Sequence, residues 1–297
     1  MKKKLLSAIA VAGIAALALS GCVNNTTDSS TGSSTTSNIA VDEAAAALLP
    51  SDIAKSGVLA VGIDPTYPPN EYKDDNGNIV GWEVELFDAA AAKLGLKTEY
   101  TAAKFDNIIP GVEGGKYNLG LSSFFDKLER QKVADMVSYY TAGSQFAARK
   151  GAGIDSTNLC GLKVAAQNGT AQYLEDLPAM SADCEAAGKD PINILGFDAQ
   201  DEATTAVVVG KADAFVADSP VVQYAVKQNS KELELIGDIF GVYYYAMPIA
   251  KSSGLAPAIQ AAIQSLIDDG TYANILGAYG VEAGSVTKSE INAEKTK

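Results

Sequence analysis

The chain has 297 residues and a formal net charge of −13, with 47% hydrophobic and 20% charged residues. These proportions allow a packed core, and the length suffices for one large domain or two modest ones. An acidic surface is repelled by phosphate backbones and anionic lipid headgroups, so we expect no nucleic-acid partner and no basic membrane patch. Histidine is absent, which removes the commonest general base and the commonest zinc ligand and disfavours many enzyme classes.

The first residues have the organisation of a secretory signal. Met1 to Lys4 is a basic segment, and Leu5 to Leu19 is an apolar run too short for a comfortable membrane span. We therefore expect residues 1–21 to be a signal peptide. The sequence Leu19-Ser20-Gly21-Cys22 resembles a bacterial lipobox, which would place a diacylglycerol on Cys22. The alternative is an ordinary cleavable signal followed by an unrelated cysteine.

Residues 22–40 have the composition of a flexible tether. From Val23 to Asn38 nearly every side chain is that of Ser, Thr, Asn, Asp or Gly, and almost nothing apolar is available for burial. A lipid followed by such a tether predicts an extracytoplasmic protein that is anchored to the cell membrane through its N-terminus.

Two cysteines remain, Cys160 and Cys184. In an oxidising compartment an even pair predicts a disulfide, which would stabilise the fold by about 3 kcal/mol in the chain-entropy model. The alternative is two buried free thiols.

Strand patterns alternate with helix patterns from Val58 onward. The predicted strands are Val58 to Ile63, Lys97 to Thr101, Leu119 to Ser122, Leu162 to Gln167, Ile192 to Leu195 and Asp213 to Asp218. The predicted helices are Glu83 to Leu94, Asp106 to Gly114, Ala171 to Ala187, Gln200 to Val209, Pro220 to Gln228, Leu255 to Asp268 and Tyr272 to Tyr279. This alternation predicts an α/β fold with mostly parallel sheets.

Three predicted strands end in polar turns of small residues: Ser122-Ser123, Asn168-Gly169-Thr170 and Asp218-Ser219-Pro220. Ligands of α/β sheets gather at the carboxyl ends of strands, where helix N-termini present N–H groups to anions. The alternative for each turn alone is that its residues only cap the following helix. The three turns together indicate a ligand site.

Short motifs follow one another in a fixed order between about residues 50 and 280. They are Val61 to Tyr72, Asn76 to Leu86, Gly114 to Tyr117, Glu129 to Lys132, Tyr139 to Gly143, Gly161 to Val164, Gln167 to Thr170, Val216 to Pro220 and Asp269 to Tyr272. Single motifs are weak signals. The ordered set resembles the bacterial extracellular solute-binding proteins of family 3, the polar amino-acid receptors of ABC importers.

This resemblance implies the type II fold of periplasmic binding proteins, in which two α/β lobes are joined by two hinge strands with a ligand cleft between them. We place the crossings near Gly143 to Arg149 and Gly241 to Pro248. Lobe 1 is then residues 41–143 and 247–297, and lobe 2 is residues 144–246. The resemblance also implies a monomer that captures a free amino acid by lobe closure and delivers it to the permease subunits of an ABC importer. We expect no cofactor, metal or catalytic residue.

Residues that match the family's binding positions are assigned one by one. Arg130 matches the arginine that holds the ligand α-carboxylate, helped by Thr170 and the backbone N–H of Ala171. A planar guanidinium suits this role because it donates two parallel hydrogen bonds. Asp218 matches the carboxylate that pairs with the α-ammonium, helped by acceptors at Ser123. Without the resemblance, Arg130 reads as a surface charge and Asp218 as a helix cap.

Three further expected ligand-binding residues match positions around the ligand side chain. Tyr67 and Phe105 match aromatic walls, and Asp64 matches an acidic position that often reads a polar or cationic side chain. Ser122 and Phe125 complete the expected set. Because of Asp64, a cationic or amide side chain is favoured.

Four positions depart from the family's usual residues. Phe125 stands where Ser or Thr is usual, and Ala171 stands where Thr is frequent. Asn70 replaces a more usual Phe, and Trp82 replaces a smaller residue. Phe125 removes a hydroxyl from the ammonium site, which makes the particular ligand harder to assign.

Two other functions are compatible with the same fold. A dehydratase or a lytic transglycosylase needs a general acid or base over the cleft, whereas Asp64 and Asp218 already have binding roles. A sensor would bind an amino acid without passing it to a transporter, and nothing in the sequence excludes that function.

Overall fold

The computed structural model describes residues 39–295. The expected signal peptide, the expected lipidation at Cys22 and nearly all of the expected tether lie outside these residues. None of the helices between residues 39 and 295 is both long and apolar enough to cross a membrane.

The strands form one sheet of eight and one sheet of three. They are β1 Val58–Ile63, β2 Thr66–Tyr67, β3 Glu71–Lys73, β4 Ile79–Val80, β5 Lys97–Ala102, β6 Leu119–Leu121, β7 Ala134–Arg149, β8 Lys163–Gln167, β9 Asn193–Phe197, β10 Ala214–Asp218 and β11 Leu233–Ala250. The large sheet has the order β5-β1-β6-β11-β7-β10-β8-β9, and the small sheet has the order β2-β3-β4.

The helices cover the faces of the large sheet. They are α1 Glu43–Ala46, α2 Ser51–Ser56, α3 Trp82–Lys93, α4 Phe105–Glu113, α5 Leu128–Val133, α6 Leu177–Ala186, α7 Gln200–Val208, α8 Ser219–Gln228, α9 Ala256–Asp268 and α10 Thr271–Tyr279. Every strand and helix predicted from the sequence pattern is present. The long helix predicted from Ala171 begins differently, because its first turns, Gln172–Asp176, are π-helical.

Two parallel halves make up the large sheet. In one half β1 runs parallel to β5 and β6, and in the other β8 runs parallel to β9 and β10. The halves are joined by β7 and β11, which pair antiparallel over most of their length. The prediction of mostly parallel sheets is therefore correct for each half but missed this long antiparallel ladder. Two α/β lobes connected by two long strands confirm the expected type II periplasmic fold.

The pairing of β7 with β11 slips in register where the two halves meet. Slips occur between Ile236 and Phe240 and between Phe240 and Tyr243. Opposite them lies Gly143, where an added Cβ would come within 2.5 Å of Ile239 and 2.6 Å of the Phe240 carbonyl oxygen. The absent side chain lets the two crossing strands approach each other. Both proposed lobe boundaries, at residues 143 and 246, fall within this strand pair.

Apolar cores fill both halves, and the second half has two, one on each face of its sheet. In the first half the buried strand β1 packs with α3 and with the C-terminal helices α9 and α10, so the chain returns to this half after β11. In the second half alternate residues of β10 face opposite sides of the sheet, as the two-residue strand repeat requires. Phe215 and Ala217 join one core, and Ala214 and Val216 join the other.

The structure contains the disulfide between Cys160 and Cys184, which confirms the bridge over the free-thiol alternative. The two cysteines are 24 residues apart in the chain. The bridge ties the segment before β8 to α6, and neither cysteine lines the cleft described below.

Candidate functional site

A narrow cleft lies between the two halves. All ten of the expected ligand-binding residues line it: Asp64, Tyr67, Phe105, Ser122, Ser123, Phe125, Arg130, Thr170, Ala171 and Asp218. Three further lining residues, Glu71, Gln167 and Gln172, were not identified from the sequence. The chain therefore brings the whole expected set together in one place.

The cleft lies where parallel strands end. Asp64 directly follows β1, Ser122 directly follows β6, and Asp218 is the last residue of β10. Carboxyl ends of parallel strands meet at one edge of a sheet, which is why side chains far apart in sequence line one cavity. Ser123 has a φ of 51°, in the left-handed region. Such a conformation is unusual for serine and turns the chain sharply beneath the cavity.

The Arg130 guanidinium is held at the cleft by neutral contacts. Nη1 donates a hydrogen bond of 3.0 Å to the Phe125 carbonyl, and Nη2 donates one of 3.4 Å to the Gly169 carbonyl of the opposite half. Burial lowers the pKa of Arg130 to about 10, so it stays protonated at neutral pH. None of the ion pairs among residues 39–295 includes it. A buried guanidinium in that state is suited to receive a carboxylate.

Asp218 is oriented toward the cleft by polar neighbours. Its Oδ1 accepts a hydrogen bond of 2.7 Å from Gln172 Nε2, and its backbone N–H donates to the Tyr67 hydroxyl at 3.1 Å. The side chain makes no capping hydrogen bond with α8, so helix capping does not explain this residue. Burial raises the pKa of Asp218 to about 7. A positive charge placed beside this carboxylate would lower that pKa again.

The Thr170 hydroxyl, unlike the Asp218 carboxylate, makes its hydrogen bonds within its own turn. It donates to the Gln167 carbonyl at 2.7 Å and accepts from the Tyr173 N–H at 3.2 Å. These are the contacts of a turn that opens a helix, made by a residue that also lines the cleft. A bound anion would have to compete with the Gln167 carbonyl for that hydroxyl.

Asp64 accepts hydrogen bonds from both halves of the protein. Gln167 Nε2 donates to Oδ2 at 2.7 Å from the β8 side, and the Phe105 N–H donates to the same oxygen at 3.2 Å. Burial raises the pKa of Asp64 to about 6 despite these donors. Phe105 stacks on Phe124, with ring centroids 4.4 Å apart, and forms an aromatic wall.

Direct contacts between the halves show that the cleft is closed. Lys104 pairs with Asp198, and Lys127 Nζ lies 3.0 Å from a Glu175 carboxylate oxygen. Together with the contacts of Gln167 and Arg130, these bridges surround the cavity. The charged side chains of the Lys104 pair are more than half exposed, so this pair adds little stability in water.

Two of the departures from the usual family residues are partners of each other. The Trp82 indole Nε1 donates to Asn70 Oδ1 at 2.7 Å, and Asn70 Nδ2 donates to the Ser123 hydroxyl at 2.8 Å. Both side chains are completely buried. Because a buried indole N–H without an acceptor is unfavourable, Trp82 at this position requires a residue like Asn70.

Phe125 connects the cleft to the crossing strands. Its ring lies 5.4 Å from that of Tyr243 and 5.7 Å from that of Tyr245, both on β11. The Phe125 ring therefore forms part of the cavity wall and also packs against the crossing strand β11. The hydroxyl that the family usually places here has no replacement at this position.

The C-terminal segment supports the helix that carries Arg130. Gln131 Nε2 donates to Asp126 Oδ1 at 2.7 Å and to the Glu294 carbonyl at 2.9 Å. The Glu294 N–H in turn donates to Asp126 Oδ2 at 3.2 Å. These contacts fix both ends of the turn from β6 into α5.

The three lining residues that the sequence analysis missed are all polar and almost completely buried. Patterns of hydrophobicity assign such residues to the surface. Glu71 and Gln167 lie within the quoted motifs, but neither was assigned a binding role. Among residues 39–295 no group of three or more carboxylate or cysteine side chains is arranged to hold a metal ion.

Comparisons with known proteins find one matching family and several similar proteins. A family model described as bacterial extracellular solute-binding proteins, family 3, matches residues 59–282. Arginine-binding protein ArgT of Corynebacterium glutamicum is 38% identical over 250 residues, which cover 84% of this chain and 82% of ArgT. An ancestral arginine-binding protein bound to arginine has a TM-score of 0.68 and 32% identity, over 75% of this chain and 98% of that structure. The ancestral amino acid-binding protein AncCDT-1, a precursor of cyclohexadienyl dehydratase, has a TM-score of 0.69 and 30% identity, over 77% of this chain and 97% of that structure.

The raised pKa values predict how the stability of the ligand-free protein depends on pH. Folded Asp64 and Asp218 titrate near pH 6 and 7, whereas unfolded Asp titrates near 3.9. The folded state therefore binds more protons between these values, and this stabilisation is lost as the pH rises through the folded pKa values.

We expect the free energy of unfolding, measured with urea, to fall between pH 5 and 8 by at most about 1.4 kcal/mol per pH unit for each group. Asp218→Asn should make the free energy of unfolding fall less steeply with pH. Asp52→Asn, at an exposed position, is the control and should leave this pH dependence unchanged. The same pH dependence in the wild type and both variants would contradict the raised pKa of Asp218.

Proposed function

Because the chain belongs to the bacterial extracellular solute-binding proteins of family 3, we propose that it is the ABC-importer receptor for a cationic amino acid, with L-arginine as the first candidate. The observation that carries the proposal is the charge of the cleft. Three carboxyl groups line it, those of Asp64, Glu71 and Asp218, and a single guanidinium faces them.

The ligand charges follow from this arrangement. A free amino acid brings one carboxylate, which suits Arg130, and one ammonium, which suits Asp218. Two carboxyl groups, those of Asp64 and Glu71, then remain without a positive partner. Ionised carboxylates are unfavourable in a buried site unless they are paired. A side chain that carries a second positive charge supplies that partner, whereas a neutral or acidic side chain does not.

The named ligands of related proteins support the same choice. ArgT is named for arginine, and the similar ancestral structure contains arginine. In this chain the Asp64 carboxylate, flanked by Phe105 and Tyr67, offers an acceptor and two aromatic faces to a guanidinium. Cations are attracted to aromatic faces as well as to carboxylates.

Binding by this receptor is a population shift between open and closed lobes. The ligand touches both lobes only in the closed form, so it stabilises closure by its difference in affinity for the two forms. A micromolar dissociation constant corresponds to about −8 kcal/mol. Two or three charge-assisted hydrogen-bonded groups, at about 1.5–3 kcal/mol each, together with aromatic burial are sufficient after ordering costs.

We also propose how the receptor is anchored to the membrane and how it reaches its transporter. The lipobox-like segment ending at Cys22 would anchor the mature protein to the membrane, and residues 22–40 would let it reach the permease subunits. We propose that it acts as a monomer. We also propose that it has no enzymatic activity, because Asp64 and Asp218, the groups that could serve as acid or base, each have a ligand charge to match. No cofactor is part of the proposal.

Replacing Arg130 tests the carboxylate end of the site. Arg130→Ala should reduce arginine affinity at least a hundredfold, because a buried charge pair would lose its positive partner. Isothermal titration calorimetry measures the affinity, and a thermal melt reports on folding. Lys132→Ala, which changes a mostly exposed cation on the same helix, is the matched control and should bind normally. Unchanged affinity in Arg130→Ala would show that the ligand carboxylate is held elsewhere.

Replacing Asp64 tests the cationic side chain. Asp64→Asn keeps the size of the residue but removes its charge, so arginine and lysine should each lose about tenfold to a hundredfold in affinity. Glutamine, which carries no side-chain charge, should change by less than about threefold. A thermal-shift panel followed by calorimetry makes the comparison. An equal loss for all three ligands would mean that Asp64 does not read the side chain.

A further inference from the structure

Glu71, one of the three carboxyl groups that line the cleft, has a buried neighbour, Glu83, that has no part in the site as described so far. Glu71 lies on β3, and Glu83 lies in the first turn of α3. Both are completely buried, and each accepts a hydrogen bond from one of two successive serines, Glu71 from Ser122 and Glu83 from Ser123, which places the two carboxyl groups next to each other. Glu71 also lines the cleft, whereas Glu83 lies behind it.

Two successive serines connect this pair to the cleft. The Ser122 hydroxyl donates to Glu71 Oε1 at 2.9 Å and accepts from the Asp64 N–H at 3.1 Å. The Ser123 hydroxyl and N–H donate to the two oxygens of Glu83, at 2.6 and 3.2 Å. Both oxygens of Glu83 therefore have donors. Glu71 Oε2, which is also buried, accepts no hydrogen bond from any residue between 39 and 295.

No cation neutralises the pair. None of the ion pairs within residues 39–295 includes either glutamate. The titratable groups that face Glu71 from neighbouring elements are Asp64 after β1, Tyr67 on β2 and Tyr139 on β7. None of these groups carries a positive charge. Across the cleft the charged groups are Arg130 and Asp218.

Two adjacent buried carboxyl groups without a cation hold one proton between them, because both cannot ionise at acceptable cost. Glu71 is the member that carries it, since Glu83 already accepts from Ser123 and is the better acceptor. Burial and the neighbouring Glu83 raise the pKa of Glu71 well above its ordinary range, and burial also raises the pKa of Glu83.

From this geometry we propose that Glu71 selects for cationic ligands by giving up the proton it shares with Glu83 when a positively charged side chain enters the cleft. This inference rests on the proposed function. The O–H bond of Glu71 breaks, the proton passes to solvent or buffer, and the second carboxylate that remains is compensated by the ligand's positive charge. A neutral side chain offers no such compensation, so the pair keeps its proton and the ligand binds more weakly.

Proton counting by calorimetry distinguishes this pair from the other cleft carboxyl groups. At about pH 8, Asp64 and Asp218, with pKa values of about 6 and about 7, are already largely ionised and release little. The full chain is titrated with L-arginine and with L-citrulline, which replaces the guanidinium by a neutral urea of nearly the same shape. Each titration is repeated in two buffers of different ionisation enthalpy, so that the heat difference gives the number of protons released.

The expected result is about one proton released per arginine and about none per citrulline. If citrulline binds too weakly to measure, the number of protons released per bound arginine tests the inference by itself. Equal counts for the two ligands, or no release with arginine, would overturn the inference. These outcomes are distinct from failure of the proposed function, in which arginine itself would not bind.

Variants then assign the proton to its residue. Glu71→Gln should release no proton on binding arginine, and its preference for arginine over citrulline should fall at least tenfold. Glu99→Gln removes an exposed carboxyl group on β5 and should keep the wild-type proton count. If Glu71→Gln binds arginine and still releases as many protons as the wild type, another group is the source of the proton. If Glu71→Gln fails to fold, the number of protons that the wild-type protein releases on binding arginine and on binding citrulline still tests the inference.

Discussion

Desolvation of charge is the constraint on which this cleft depends. Arg130, Asp64, Glu71 and Asp218 all face one small cavity, and closure of the lobes removes water from each of them. A buried charge without a partner is strongly unfavourable, which is why burial lowers the pKa of Arg130 and raises the pKa values of the carboxyl groups. A ligand with complementary charges removes that penalty. The same groups that make the empty closed form costly therefore make the occupied closed form favourable, and this difference drives closure.

The fold holds these charges in place with rigid elements. Strand ends carry Asp64, Ser122 and Asp218, and the contacts from Glu294 fix the turn that leads into the helix of Arg130. Strands β7 and β11 join the two halves, and register slips and Gly143 interrupt their long ladder, so we place the hinge there. Binding groups that sit on rigid lobes around a narrow hinge meet the ligand in a defined geometry, so ordering costs are low.

Much of this arrangement could be predicted from the sequence. Strand β1 has the predicted limits, and Arg130 and Asp218 line the same cleft as expected. Glu71 and Gln172 were missed because a buried polar residue looks like a surface residue when only hydrophobicity is considered. Asn70 and Trp82 could each be recognised as unusual, but their hydrogen bond depends on the hairpin of β3 and β4, two short strands that the sequence pattern did not predict. The full lengths of β7 and β11 were also missed, because a strand shared by two lobes has no single repeat of buried residues.

A crystal structure of the protein with bound L-arginine tests the central claim most directly. We expect the ligand carboxylate on the Arg130 guanidinium, the α-ammonium on Asp218 and the side-chain guanidinium between the aromatic rings with Asp64 at its end. A ligand bound in the reverse orientation, or outside the cleft with Arg130 still facing only carbonyl oxygens, would contradict it.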